Sequence, residues 1–104
     1  MAASHTPAII LEYVSDEACG RSRYGYVNVH EGDEVIDVII LNQDARLGSF
    51  EGDPVYFALG IRQDGTSCRV YWDCLPGWED TDNADDHCDW DKPYGAYDGL
   101  NWIY

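Results

Sequence analysis

The stretch VYFALGIRQDGTSCRVYWD, residues 55–73, decides the fold of this 104-residue chain. Two runs rich in β-branched and aromatic residues, 55–62 and 67–73, lie on either side of residues 63–66. Asp64-Gly65 in this connection is a strong hairpin signal, because a type I′ turn requires positive φ at both central positions. Alternation along each run predicts one core-facing set of side chains per strand. These sets are Val55, Phe57, Leu59 and Ile61 on the first strand, and Cys68, Val70 and Trp72 on the second.

Other segments have the composition of short strands. Residues 9–14 (IILEYV) are apolar, 24–30 alternate with Val27 and Val29 on one face, and 100–104 (LNWIY) resemble a final strand. The run 35–41 (VIDVIIL) is interrupted only by Asp37, and its five β-branched residues favour a buried strand. We therefore predict an all-β fold of five to six strands, arranged as a small antiparallel sheet, a half-open barrel or a two-layer sandwich. The alternative is an α+β fold with one short helix at 33–45.

The chain length predicts a single domain over residues 1–104, with a frayed N-terminus at 1–7 and a polar turn at 15–23. A hydrophobic fraction of 45% argues against a disordered acidic tail. No apolar run reaches the roughly 18 residues that a membrane span needs. The N-terminus also lacks a basic region followed by an apolar one, so we expect a cytoplasmic protein.

Residues 73–98, DCLPGWEDTDNADDHCDWDKPYGAYD, are rich in both acidic and aromatic side chains, and we expect them to form an acidic loop. They hold nine Asp or Glu residues and one Lys, and so contribute −8 of the net charge of −14. Such a surface repels nucleic acid and anionic membranes, which leaves basic proteins and cations as partners. Halophilic adaptation is the alternative explanation, but it predicts acid spread evenly along the chain.

Four cysteines, Cys19, Cys68, Cys74 and Cys88, allow three disulfide pairings. Free buried thiols are the commoner state in a reducing cytosol, and we expect them here. If a disulfide forms, Cys74–Cys88 is the favoured pair, because it closes the base of the acidic loop and stabilises by about 3 kcal/mol. Zinc binding by these residues with His87 is disfavoured, since their separations lack the short paired spacing of structural zinc sites.

The Asp cluster within 79–91 supplies hard oxygen ligands at short spacing, so a Ca²⁺-binding module is the alternative function. The cluster lacks the turn glycine and the closing Glu of an EF-hand loop, and we predict no dedicated metal site or cofactor. No signature of a nucleophilic hydrolase, a zinc protease, a phosphate-binding loop or a dinucleotide site is present. A His87–Cys88 dyad is disfavoured because surrounding carboxylates raise a thiol's pKa. We therefore expect a binding protein and not an enzyme.

The partner that fits the acidic stretch is a basic, nucleic-acid-binding protein. In an extended segment, carboxylates at positions i and i+2 lie about 6–7 Å apart on one side, and such a row can take the place of phosphates in a Lys/Arg groove. Aromatic side chains would add desolvated anchors that charge alone does not provide. The predicted partner-binding residues are Glu79, Asp80, Asp82, Asp85, Asp86, Asp89 and Asp91, with Trp78 and Trp90 as anchors. Secondary acidic patches are predicted at Glu31/Asp33/Glu34/Asp37 and at Glu51/Asp53.

In general character, the chain is similar to phage-encoded inhibitors that mimic DNA against restriction or CRISPR systems. The similarity lies in small size, strong acidity and the lack of an enzyme signature, and no residue role is transferred from it. It implies a protein that binds and blocks a nucleic-acid-binding complex in the host cytoplasm. Exposed edge strands would also allow a homodimer.

Overall fold

The computed structural model describes residues 9–15 and 24–104, which form seven antiparallel strands in one sheet. Two single-turn 3₁₀ helices follow β6, at Trp78–Asp80 and Ala84–Asp86. The strands are β1 Ile9–Val14, β2 Tyr26–Glu31, β3 Glu34–Leu41, β4 Arg46–Phe50, β5 Asp53–Ile61, β6 Ser67–Asp73 and β7 Gly95–Tyr97. The prediction of a small all-β antiparallel sheet is confirmed. The described residues contain one strand more than the upper limit of five to six.

The strand order is β1-β2-β3-β5-β6-β7, and β4 pairs with β5 outside this path. Strands β3 and β4 pair with β5 at different points along its length. β3 pairs with the end of β5, where Leu41 is opposite Gly60. β4 pairs with the beginning of β5, where Phe50 is opposite Asp53. The other edge of β5 pairs with β6 over seven residue pairs.

The predicted hairpin is formed by β5 and β6, but its turn is not type I′. The Arg62 amide donates to the Thr66 carbonyl at 2.9 Å, and only Gly65 within this connection has positive φ. A longer loop of this kind uses one left-handed residue instead of two, which explains why Asp64 does not adopt positive φ. The two-residue connection with positive φ at both positions lies instead between β4 and β5, at Glu51 and Gly52.

Of the core-facing set predicted on β5, only Val55 is buried, and the main core cluster packs against the opposite face of the strand. Leu59 and Ile61 are 38% and 37% exposed, whereas Ala58 is fully buried. The partner strand was predicted correctly, and the register places Tyr56 opposite Trp72, Ala58 opposite Val70 and Gly60 opposite Cys68. The small Ala58 thus opposes the larger Val70, so summed volume and not hydrophobicity alone decides which face packs inward. At Gly60, a Cβ would lie 2.6 Å from Ile39 Cγ2.

Other expectations have mixed outcomes. The alternation in β2 is confirmed, with Val27 and Val29 fully buried. The helix alternative at 33–45 is wrong, because most of this segment forms β3, as its β-branched content favours. Residues 100–104 form no strand and make one isolated bridge, Tyr97 to Trp102. The frayed N-terminus at 1–7, Cys19 and all of the turn at 15–23 except Ser15 lie outside the described residues.

Asp37 is a structural residue and not part of an acidic surface patch. It is 5% exposed, and Oδ2 accepts hydrogen bonds from the Tyr104 hydroxyl at 2.5 Å and from Arg62 Nε at 3.1 Å. Oδ1 accepts from the amides of Val38 and Gln63 at 2.9 and 3.2 Å. Burial by itself raises the pKa of Asp37, but these four hydrogen bonds outweigh burial and lower it below its ordinary value. This cluster fixes the C-terminal residue against β3.

Candidate functional site

The acidic stretch includes the end of β6 and all of β7, so the loop itself comprises residues 74–94 and is called the acidic loop below. It is not extended, as the predicted row of i, i+2 carboxylates assumes. The chain instead makes two 3₁₀ turns. Gly77 begins the first turn in the left-handed region, at φ 79°, and the Asn83 side chain accepts a hydrogen bond from the Asp85 amide at the second.

Backbone contacts close the base of the acidic loop and join its second half to the sheet. Cys74 and Cys88 form an isolated antiparallel bridge, and the Leu75 amide donates to the His87 carbonyl at 2.8 Å. Further along, the Asp91 carbonyl accepts from the Tyr13 amide of β1 at 3.0 Å. The loop is therefore tied at its base and also to the first strand.

His87 connects the two turns of the acidic loop. Its Nε2 lies 2.9 Å from the Thr81 carbonyl, which can only accept, so Nε2 is the donor. In the tautomer with its proton on Nε2, Nδ1 accepts from the Tyr56 hydroxyl at 2.8 Å. The Trp78 ring packs edge-on against His87, with centroids 5.3 Å apart. The histidine thus holds the first half of the loop against β5.

Trp90 holds the second half of the loop. Its indole N–H donates to the Ala84 carbonyl at 3.2 Å, and its own carbonyl accepts from the Trp72 indole at 3.0 Å. Its ring lies 5.5 Å from that of Trp72 and 5.1 Å from that of Tyr56. Both predicted anchors, Trp78 and Trp90, are therefore half-buried and already engaged within the protein.

The seven predicted carboxylates all lie on the exposed side of this ordered loop. Within residues 9–15 and 24–104, the salt bridges join Glu12 to His30 and both Asp37 and Asp64 to Arg62, and none includes an acidic-loop residue. Nor do these carboxylates form side-chain hydrogen bonds to other residues of that part of the chain. The exposed set is Glu79, Asp80, Asp82, Asp85, Asp86, Asp89 and Asp91.

The cysteines on the described segments, Cys68, Cys74 and Cys88, are free thiols, as expected. Cys74 and Cys88 are hydrogen-bonded neighbours at the base of the loop. Burial, together with the adjacent Cys74, raises the pKa of Cys88 to about 12. Burial likewise raises the pKa of Cys68 to about 11. Neutral thiols of this kind react slowly. Cys74 and Cys88 lie at the base of the acidic loop, whereas Cys68 is buried at the other end of β6.

A cavity of about 390 Å³ lies where the acidic loop meets the sheet. The sequence interpretation identified Trp90 and Asp85 but missed the rest of its lining. The register of the β5–β6 hairpin could have revealed two of the missed lining residues, because the cross-strand partners Tyr56 and Trp72 lie on one face of the sheet. The remaining lining residues are Tyr13, Tyr24, Leu41, Asp44, Ala45 and Ala84.

The described residues contain neither a metal-binding cluster nor a membrane-spanning helix. No group of three or more His, Cys, Asp or Glu side chains there is arranged to hold a metal ion. No helix in residues 9–15 and 24–104 is long and apolar enough to cross a bilayer.

No protein-family model, curated protein sequence or solved structure matches the chain at a significant level. The functional assignment therefore depends on the geometry and charge of the chain's own residues.

Proposed function

We propose that this protein binds and blocks a basic, nucleic-acid-binding protein through its acidic loop, in the manner of a DNA mimic. The observation that carries the proposal is the set of seven exposed carboxylates on a loop closed at its base and joined to the sheet in its second half. A nucleic-acid groove is lined with Lys and Arg, which favour fixed anions. The proposed role is binding and not catalysis, in the cytoplasm of the cell that contains the partner, or of the host if the protein is phage-encoded.

Order in the acidic loop matters for affinity. A mobile acidic segment loses conformational entropy on binding, which offsets part of the electrostatic attraction. His87 and Trp90 already restrict the loop through hydrogen bonds to Thr81 and Ala84. Binding therefore requires less ordering, and the carboxylates are presented in a fixed arrangement.

Charge is expected to determine the rate and salt dependence of association. The net charge of −14 attracts a basic partner over long range, which speeds encounter. Salt at about 0.5 M shortens the screening length to a few ångströms, so complex formation should weaken strongly. The exposed edges of Trp78 and Trp90 would contribute the apolar part of the interface.

Affinity capture from the native host's lysate tests the proposal. Tagged wild type is used at low salt and again at about 0.5 M, beside a variant with Asp80, Asp82, Asp85 and Asp86 changed to Asn. We expect the wild type to retain one nucleic-acid-binding protein at low salt and to release it at high salt. The variant should not retain this protein at either salt concentration. Recovery of nothing specific, or equal recovery by the variant, would overturn the proposal.

The sequence also left open a Ca²⁺-binding module, for which the described residues provide no group of three ligands. It predicts a rise in melting temperature with Ca²⁺ by mass action, reversed by a chelator. An unchanged melting temperature in both conditions would remove it.

A further inference from the structure

The cavity beside the acidic loop combines aromatic walls with carboxylates. Trp72 is 1% exposed, and Trp90 and Tyr56 are half-buried, so its aromatic lining extends from the core towards solvent. Asp44 lies in the connection between β3 and β4, and Asp85 lies in the second 3₁₀ turn, and both are exposed. The cavity volume of about 390 Å³ is within the range of small-molecule sites.

This lining favours an organic cation. The ring faces of Trp and Tyr attract a cation within about 6 Å, and the attraction strengthens when the cation is desolvated. Neighbouring rings meet at steep angles, 56° for Trp72 and Trp90 and 78° for Tyr56 and Trp90. Edge-to-face packing occupies one face of a ring, and Trp90 and Tyr56 are half-buried and line the cavity, so part of their ring surface is open to a ligand. Neither Asp44 nor Asp85 pairs with a cation in the described part of the chain.

A guanidinium fits this site better than an ammonium group. It is planar, so it stacks on an aromatic face, and its fork of donors pairs with carboxylates. It is also more weakly hydrated than an ammonium, so it enters a partly buried cavity at a lower desolvation cost. The cavity offers both kinds of contact, through Trp90 and Tyr56 on one hand and Asp44 and Asp85 on the other.

We propose that this cavity receives one arginine side chain of the basic partner, held between the aromatic rings and the carboxylates of Asp44 and Asp85. The inference deepens the proposed function and rests on it, because it names the residue that anchors the partner at the base of the acidic loop. Ala84 and Asp85 belong both to the loop and to the cavity lining, so the arginine site is continuous with the acidic surface.

A peptide titration followed by NMR tests the arginine site on the purified protein. The probes are a blocked Gly-Arg-Gly peptide, the same peptide with citrulline, which is neutral and nearly isosteric, and the same peptide with lysine. The signals are the indole N–H groups of Trp72 and Trp90. We expect saturable shifts with the arginine peptide, and binding at least about tenfold weaker for citrulline and severalfold weaker for lysine.

Two variants test the location of the site. Ala84→Leu places a larger side chain in the cavity from the second 3₁₀ turn, where Ala84 is exposed. It should abolish the chemical-shift changes of the indole N–H groups while the sheet stays folded. Asp44→Asn should weaken the arginine peptide severalfold, whereas Asp33→Asn, in the turn between β2 and β3, should leave its affinity unchanged. Equal binding of arginine and citrulline peptides, tighter binding of the lysine peptide, or full binding by folded Ala84→Leu would overturn the proposal.

A titration with free L-arginine distinguishes the two sources of a guanidinium, the free amino acid and the side chain of a protein partner. The α-ammonium and α-carboxylate of the free amino acid together add no net charge, and they replace the neutral backbone for which a side-chain site is open, so the blocked peptide should bind at least as tightly. Tighter binding of free arginine would contradict the assignment to a protein partner. The titration needs no partner, so its failure beside a successful lysate capture would refute the arginine anchor alone.

Discussion

Asp37 and the carboxylates of the acidic loop are the same chemical group in opposite surroundings. Asp37 is 5% exposed and accepts four hydrogen bonds, two of them from Arg62 and Tyr104. The seven loop carboxylates are exposed and have no ion-pair partner within residues 9–15 and 24–104. Asp37 is paired with a cation of the protein itself, Arg62. The loop carboxylates have no such cation among the described residues and remain accessible to a partner.

The difference shows how an acidic protein of this size remains folded. A buried carboxylate is costly unless it is paired and hydrogen-bonded, so one acid in the sheet requires several donors. Exposed carboxylates keep their hydration and cost little beyond mutual repulsion. The acidic loop therefore adds charge without requiring compensation from the core, which is the property that a DNA mimic needs.

The largest expected effect is on the reactivity of Cys88, which is buried at the base of the acidic loop. Burial and the adjacent Cys74 raise the pKa of Cys88 to about 12, so its thiolate is scarce at about pH 8. We expect Cys88 to react with a maleimide at least about a hundredfold more slowly in the native protein than in urea. Peptide mapping by mass spectrometry resolves each thiol, and half-buried Cys74 should react faster than Cys88. Equal rates in native and unfolded protein would mean that the loop does not cover its base.

The next effect concerns the stability of the sheet. Asp37→Asn keeps the shape of the side chain but removes the charge that Arg62 and Tyr104 require. We expect it to lower the free energy of unfolding by about 2–3 kcal/mol, measured by urea denaturation. Asp33→Asn, an exposed change of the same chemistry, is the matched control and should have almost no effect. Equal effects of the two variants would contradict the contrast between paired and unpaired acids.

Acid should reduce the stability contribution of Asp37. Because its folded-state pKa lies below its ordinary value, its contribution is present above the unfolded pKa of about 3.9 and is lost as the pH falls through the folded-state pKa. The difference in unfolding free energy between wild type and Asp37→Asn should therefore be largest near neutrality and shrink below about pH 4. Urea midpoints measured across this range test it, and a difference that grows towards low pH would contradict the assignment.

The smallest effect is expected at the acidic loop itself. Changing Asp80, Asp82, Asp85 and Asp86 to Asn should alter the free energy of unfolding by less than about 0.5 kcal/mol. At low salt the variant should be slightly more stable than wild type, because self-repulsion falls. A loss above about 2 kcal/mol would show that these carboxylates stabilise the loop, and the distinction from Asp37 would fail.

Much of the sheet could be predicted from the sequence. Alternation identified β2, and β-branched content identified β3, because both patterns report directly on burial. The inward face of β5 could not be predicted from hydrophobicity, since Ala58 and Gly60 pack inward where larger side chains, Val70 and Ile39, fill the space beside them. Arg46–Phe50 has little strand character of its own and pairs only because β5 provides an edge.

The site was predictable in composition but not in shape. The charge of the loop followed from residues 73–98, but β7 shortens the predicted loop to 74–94, and the two 3₁₀ turns depend on Gly77, Asn83 and His87 contacts that no short pattern specifies. Asp37 carried a signal that the sequence interpretation did not use. A single acid within an apolar run must find hydrogen-bond donors, and here the C-terminal residue supplies one.

The central claim, that the acidic loop is the binding surface, is tested most directly by a charge-matched affinity comparison. The partner recovered by capture is titrated with wild type, with the Asn variant at Asp80, Asp82, Asp85 and Asp86, and with a control variant. The control changes Glu31, Glu34 and Glu51 to Gln and Asp33 to Asn, so both variants lose four negative charges. We predict that the loop variant binds at least about a hundredfold more weakly than wild type and the control less than about tenfold more weakly. Equal losses would show that net charge alone drives binding, and would contradict a specific surface on the acidic loop.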